Sequence, residues 1–183
     1  ILKQLSENYR KIRNTARYIL GNLDGFDPAT DQVEDSQLVE LDRWALARLA
    51  GLLERCRTAY DRFDFHIVFH AVHNFCTIDM SNFYLDVIKD RLYVEKADSV
   101  QRRAAQTAMH RILRALDLLV APIIPFTAEE IWSFMPACSG YNKDSVVFNE
   151  IPKPGAEPDT AFMEKWDRLI AVRSEVTKAL ELA

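Results

Sequence analysis

The sequence predicts an all-α fold, a bundle of helices, and three observations carry that reading. Apolar residues recur at steps of three and four along most of the chain. Only 5 glycines occur in 183 residues, too little punctuation for the many turns of an all-β fold. The segments between the periodic stretches are short, or acidic and proline-containing. This length fits one compact domain, and the 49% hydrophobic and 27% charged fractions are those of a globular chain.

The first helix spans residues 2–20, with Leu5, Tyr9, Ile12, Ala16 and Ile19 on one face. Gly21 follows at the position of a C-cap. Residues 22–36, acidic and holding Gly25 and Pro28, read as a loop. The second helix is expected over Leu38–Tyr60, with Ser36 or Asp35 as N-cap. Leu38, Leu41, Ala45, Leu49, Leu52 and Leu53 form its inward face. Residues 65–93 are the central helix, rich in Phe65, Phe69, Phe75, Phe83 and Tyr84, with a bend expected near Asp79–Ser81.

A further helix covers 99–120, with Met109, Ile112, Leu113, Leu116 and Leu119 inward, and Pro122 and Pro125 stop it. Thr127-Ala-Glu-Glu130 has capping-box spacing, Thr127 at N-cap and Glu130 at N3, and opens a short helix through Phe134. Residues 136–158 hold four prolines and read as loop, with room for a short strand at Val146–Phe148. The last helix, 159–182, is amphipathic through Phe162, Trp166, Ile170, Val176 and Leu180. No internal repeat or low-complexity tract interrupts this order. The chain opens and stops within helical patterns, so a piece of a longer protein is expected.

The net charge of −4 argues against a nucleic-acid partner, but its distribution reverses that reading. Residues 1–20 hold five Lys/Arg against one Glu, net +4; residues 21–42 hold seven Asp/Glu and no Lys/Arg, net −7; residues 89–114 hold seven Lys/Arg against three Asp/Glu, net +4. A polyanion senses such patches more than the total, because charges beyond about 10 Å are screened. No apolar run reaches the roughly 20 residues of a membrane span, and no export signal opens the chain. Cys56, Cys76 and Cys138 are odd in number and far apart, which fits reduced thiols in a cytoplasmic protein.

His66, His70 and His73 fall at i, i+4 and i+7, a spacing that lets one helical face hold zinc. Ile67, Val68 and Phe69 occupy the gap where a His-Glu-x-x-His site has its general base. Histidines at the edge of the core, with hydrogen-bonded rings, explain the spacing as well, and no metal site is assigned. No Gly-x-Ser-x-Gly, P-loop or Gly-x-Gly-x-x-Gly is present. Of the adjacent Glu129 and Glu130, capping accounts for one and solvent for the other. No catalytic residue, cofactor or metal ligand is assigned to these residues.

The sharper signal is cationic. Lys3, Arg10, Arg13, Asn14 and Arg17 share one sector of the first helix at about 100° per residue, away from its apolar stripe. A solvated face is the ordinary source of a charge stripe. Here no carboxylate interrupts it, and such a helix fits along a phosphate backbone, each Arg offering a bidentate fork. Lys89 and Arg91 flank Asp90, a mixture that also suits an internal salt-bridge network. Arg102 and Arg103 open a helix, where cations oppose the macrodipole; an RNA contact or nearby Asp98 would each account for them.

Several runs resemble one family. Lys11-Ile-Arg-Asn-Thr-Ala-Arg-Tyr-Ile-Leu-Gly-Asn-Leu23 resembles the opening helix of the anticodon-binding domain of isoleucyl-tRNA synthetases of the bacterial class I type. Glu40-Leu-Asp-Arg-Trp-Ala-Leu46 is similar to the next helix, and Ser81-Asn-Phe-Tyr-Leu-Asp-Val-Ile-Lys-Asp-Arg-Leu-Tyr93 is the most specific match. Arg102-Arg-Ala-Ala-Gln-Thr107 and Ala121-Pro-Ile-Ile-Pro-Phe-Thr-Ala-Glu-Glu-Ile-Trp132 follow in family order. Val172-Arg-Ser-Glu-Val-Thr-Lys-Ala-Leu-Glu181 resembles the start of the region after the bundle.

The resemblance implies a helical bundle over 1–154 that docks the anticodon arm of tRNA(Ile), then a junction helix over 155–183. It implies a parent enzyme that activates isoleucine with ATP and Mg, in some members with Zn, and transfers it to tRNA. Partners would be tRNA(Ile) and the catalytic and editing domains of the same chain, in a cytoplasmic monomer. The nucleotide-binding motifs and the cysteine-rich zinc element of such enzymes are absent from these residues, so ATP and zinc would belong to the parent. The site residues expected to meet tRNA are Arg10, Arg13, Asn14, Arg17, Lys89, Arg91, Arg102 and Arg103. Valyl, leucyl and methionyl enzymes share the bundle and form one alternative; a free-standing helical module that binds a protein forms another.

Overall fold

The computed structural model describes residues 2–155 and 159–182. Ile1, residues 156–158 of the expected proline-rich loop, and Ala183 lie outside the described residues. Among those described, every regular element is helical: α1 Leu2–Asn22, α2 Glu40–Asp61, α3 Phe65–Asn74, a π-helical segment Phe75–Tyr84, α4 Leu85–Val87, α5 Lys89–Tyr93, α6 Val100–Val120, α7 Pro125–Phe134 and α8 Thr160–Leu182. The expected all-α bundle is what forms. Among the described residues no helix is long and apolar enough to cross a membrane.

α6 is the axis. Ala104, Ala105, Ala108, Met109, Ile112, Leu113 and Leu119 are buried on it, and α2, α1, α3, α5 and α7 pack against it. Small alanines in its first half let neighbouring backbones approach, and the larger Met, Ile and Leu fill the space further along. α2 lies along both α6 and α3. α8 buries no residue completely, but Phe162, Met163, Trp166 and Ile170 rest on the core. There Trp166 meets Trp44 and Phe83, at ring-centroid separations of 5.9 and 6.1 Å.

Several local expectations are corrected. Gly21 does not end α1: the helix runs to Asn22, and the left-handed turn falls at Gly25, φ 69°. The reason is Leu23, buried and bonded back to Ile19 at 3.0 Å, which extends the inward stripe one more turn. Neither Ser36 nor Asp35 caps α2; both sit in a separate 3₁₀ turn, Asp35–Gln37, and α2 starts at Glu40 behind Val39.

Where the sequence predicts a bend near Asp79–Ser81, the central helix departs from α geometry and widens over ten residues, with the Ser81 hydroxyl donating to the Cys76 carbonyl at 2.8 Å. Buried residues there recur in adjacent pairs four apart, Phe75–Cys76, Asp79–Met80 and Phe83–Tyr84. A repeat of four lies between the turn of an α-helix and that of the wider helix, and in the widened segment all three pairs face the core. Pro125 does not stop α6, which ends at Val120; it begins α7 at the first turn, where proline's missing N–H costs nothing. Thr127 therefore lies inside α7 and caps nothing. Val146–Phe148 is a 3₁₀ turn, not a strand, held because Glu129 accepts from the Ser145 hydroxyl and from the Val146 N–H, the latter at 3.3 Å. Glu129 is thus a loop anchor rather than a solvated carboxylate.

Candidate nucleic-acid interface

The inward stripe of α1 is fixed by Ile12, Ala16 and Ile19, all buried. That anchoring turns Arg10, Asn14 and Arg17 out to solvent and leaves Arg13 half-exposed. Arg13 pairs with Glu130 of α7 at 3.2 Å, an open contact with side chains 40% and 53% exposed. Arg10 and Arg17 form no ion pair among the described residues. The sector is therefore a cationic ridge whose middle member, Arg13, is paired across to α7, while Arg10 and Arg17 have no such partner among the described residues. α7 fixes its inclination through Tyr9, whose hydroxyl lies 2.9 Å from that of Thr127.

Grooves flank the ridge on both sides. One, of about 800 Å³, runs between α1 and α7 and is lined by Arg13, Arg17, Leu20, Gly21, Glu130 and Phe134 among others; Phe134 is 71% exposed. The other, of about 310 Å³, lies between α1 and the end of the π-helical segment. It brings Asn14 and Lys11 beside Lys89. Lys89 is exposed and pairs with Asp86 at 2.8 Å, which raises its pKa and lowers that of Asp86.

The remaining expected residues lie elsewhere. Arg91 turns inward: its guanidinium donates to the buried Asp42 carboxylate at 2.5 and 2.8 Å, and the Tyr84 hydroxyl donates to the same carboxylate at 2.8 Å. Burial and the Asp42 charge hold the Tyr84 phenol protonated, well above its usual range. Arg103 reaches back over the first loop, to Asp31 at 3.1 Å, the Gly25 carbonyl at 3.2 Å and Gln106 at 2.9 Å. Arg102 is half-buried and points its guanidinium to the Glu95 carbonyl at 3.5 Å.

The acidic stretch thus has internal partners. Asp31 pairs with Arg103, Asp35 with Arg111, Glu40 with Lys165 and Asp42 with Arg91. The basic 89–114 stretch supplies three of those four cations, and α1 supplies none. Arg103 stands at the start of α6, against its dipole, where the acidic loop supplies Asp31 as its partner. Sequence reading missed this cross-pairing and the aromatic edge at Phe134. The adjoining blocks of opposite charge were the available signal for the pairing.

His66 and His70 are exposed, and only half-buried His73 edges the core, its Nδ1 3.5 Å from Asn74 Oδ1. Among the described residues no three His, Cys, Asp or Glu side chains are grouped to hold a metal ion. Cys56 and Cys76 are buried, and burial pushes their thiols up to about 11 and about 12.

Residues 42–182 match the family model described as the anticodon-binding domain of tRNA ligase. The chain is 58% identical over 184 residues to the isoleucine–tRNA ligase of Syntrophotalea carbinolica. It is 54% identical over 187 residues to that of Brevibacillus brevis and 51% identical over 185 to that of Caldicellulosiruptor bescii. Each match covers 100% of this chain and 20% of the relative, so the chain spans about a fifth of the length of the curated proteins it resembles. The helical bundle, its motif order and the span of the family model agree: the chain belongs to the anticodon-binding domain family of tRNA ligases.

Proposed function

We propose that this chain docks the anticodon arm of tRNA(Ile) within a longer isoleucine–tRNA ligase, with the α1 ridge as its contact face. One observation carries the assignment of the face: Arg10 and Arg17 stand exposed on α1 without an ion pair among the described residues, whereas Arg91 and Arg103 are committed to buried or loop carboxylates. Phosphate contacts set register on RNA, and unpaired loop bases are read by stacking and edge contacts. The ridge suits the first task, and exposed Phe134 beside Arg17 suits the second. Lys89 joins the face through its groove with Asn14. Arg91 and Arg103, expected from sequence to meet RNA, hold other parts of the bundle instead, and Arg102 is half-buried away from the α1 ridge.

In this reading, activation of isoleucine with ATP and Mg belongs to catalytic domains of the same monomeric, cytoplasmic chain, as do editing and any zinc. Residues 1–154 are the bundle and 155–183 lead into the next region. An apolar stripe on the outer half of α8, with Leu169, Val172, Val176 and Leu180 all exposed, supports that division.

The test is Arg17→Glu in the full-length protein, with tRNA affinity measured at two salt concentrations. Binding should weaken, and the dependence of log affinity on log salt should fall by about one unit. Affinity unchanged at both salts would remove α1 from the interface.

A further inference from the structure

Side-chain pairings fix the direction of each helix. Tyr9 with Thr127 and Arg13 with Glu130 run α1 and α7 side by side in the same sense. Thr15 with Ser81 and Tyr18 with the Leu85 carbonyl, at 3.3 and 3.5 Å, do the same for α1 and the central helix. α2 ends where α3 begins, and the Tyr60 hydroxyl in its last turn donates to the Leu119 carbonyl in the last turn of α6. The starts of α1, α3 and α7 therefore meet the ends of α2 and α6 at one end of the bundle.

That end is apolar and open. Leu2, Leu5, Phe63, Phe65 and Phe126 stand there with 83%, 49%, 78%, 47% and 92% of their surface exposed. Single exposed apolar residues are ordinary, but such a group, three of them aromatic, marks a surface that something covers. Leu5 continues the stripe of Ile12, Ala16 and Ile19, so the inward face of α1 runs on past the cover this bundle provides. Lys3 and Arg62, both exposed, give the patch a polar rim.

Phe63 supplies an independent observation. Its φ is 60°. Its N–H returns to the Tyr60 carbonyl at 3.0 Å and the Asp64 N–H to the Ala59 carbonyl at 2.8 Å, the closing pattern of a helix whose left-handed residue is ordinarily glycine. The left-handed region strains any residue with a Cβ. The fold itself gains little from the ring, which meets Phe65 edge-on at 6.2 Å and is otherwise mostly exposed. Strain kept for an outward-facing aromatic ring points to a contact beyond the bundle.

The course of the chain names the occupant. The chain enters the bundle at this end, through Leu2. It leaves toward the other end: α8 passes Phe83 at Trp166 and then Asn82 and Asp86 at Arg173, following the central helix away from the patch. Each match to an isoleucine–tRNA ligase covers 20% of that relative, so about four-fifths of such a protein lies outside this chain.

We infer that this end of the bundle is the seat of the region that precedes Leu2 in the same polypeptide, which packs an apolar surface onto Phe63, Phe65 and Phe126. The inference rests on the chain lying within a longer ligase, and not on the choice of α1 as the RNA face. Arg10 follows Leu5 by less than two turns of α1. The occupant of the seat therefore sets the direction in which the cationic ridge leaves the rest of the protein.

Hydroxyl-radical footprinting of the full-length protein without tRNA tests this, with Phe134, 71% exposed near the opposite end, as internal reference. Phe63 and Phe126 should be oxidised about tenfold more slowly than Phe134, because the centre of an interface loses nearly all its accessible surface. Equal rates at the three positions overturn the inference. Phe126→p-benzoylphenylalanine in the same protein then identifies the occupant on irradiation. The cross-linked peptide should come from sequence before Leu2 in the same molecule. A link to sequence beyond Ala183 overturns the inference in favour of the following region, and a link between two molecules overturns it in favour of a second copy. The footprint of the wild type stands even if the variant does not fold. Loss of protection here leaves the outcome of Arg17→Glu on tRNA affinity untouched, so the two readings fail separately.

Discussion

The Arg91 guanidinium closes on the Asp42 carboxylate through two hydrogen bonds of 2.5 and 2.8 Å, joining α5 to the first turn of α2 across 49 residues of sequence. Asp42 has no exposed surface, and Tyr84 supplies its third donor. A buried carboxylate with three donors is stable; one that loses its cation is not, because the charge stays where water cannot reach it. Arg91→Met should therefore destabilise the bundle by about 3 kcal/mol, read from the urea midpoint at constant slope. tRNA affinity of the folded variant should be unaltered. A variant that keeps its stability but loses tRNA would return Arg91 to the RNA face.

Thr127 and Tyr9 form a second such link, between α7 and α1. Thr127→Ala and Tyr9→Phe should each cost about 1 kcal/mol, and the double variant about the same as either single one. If Thr127 were an N-cap, Tyr9→Phe would leave its contribution untouched and the two losses would add. A double-mutant cycle on chemical unfolding separates the cases.

Asp117 gives the bundle a slope in pH. Burial, helped by nearby Glu129 and opposed by Lys143, holds its carboxyl at about 8. The unfolded chain releases the same proton at about pH 4. Between about pH 4 and about pH 8 the folded state keeps a proton that the unfolded state has lost, so stability declines across this window and levels off above it. Asp117→Asn should flatten that part of the curve. Unfolding midpoints at about pH 5 and about pH 8 for both proteins provide the check, and parallel changes in the two would refute the assignment.

α8 is held to the bundle by its first half, with Trp166 at the centre of the contact. Trp166 meets Trp44, Phe83 and Phe162, and beyond it only Ile170 rests on the core, besides the polar hold of Arg173 on Asn82 and Asp86. Trp166→Ala should cost about 2 kcal/mol, less than a fully buried tryptophan because Trp166 is only half-buried. Amide exchange along Thr160–Leu182 should accelerate much more than along α6. Uniform acceleration of both helices would mean that α8 is integral to the core.

Much of this architecture was legible in the sequence, and what was not has a common physical origin. Each long helix announced itself through an apolar stripe, because burial on one face imposes a period of 3.6 whatever the partner. The ridge on α1 was readable for the same reason: the residues opposite Ile12, Ala16 and Ile19 had to face outward. Arg91 was different. Its neighbours Lys89 and Asp90 gave no sign that a carboxylate was waiting on α2, since a long-range pair leaves no local pattern. Thr127 carried the spacing of a cap, but Pro125 had already supplied the first turn, and proline's fixed φ prevailed over the motif.

The π-helical segment between Phe75 and Tyr84 makes this domain sensitive to length rather than to composition. Each residue added to or removed from a helix turns everything beyond it by about 100°. The paired columns Phe75–Cys76, Asp79–Met80 and Phe83–Tyr84 keep their facing only while the wide turns hold all ten residues. A gene carrying one codon fewer here would tighten the coil and swing Leu85–Tyr93 around its axis, lifting Arg91 off Asp42 and turning Lys89 away from Asn14 together. Single-codon deletions should thus be purged from this stretch even where many substitutions at its outward positions, such as Ile78 and Asn82, are tolerated.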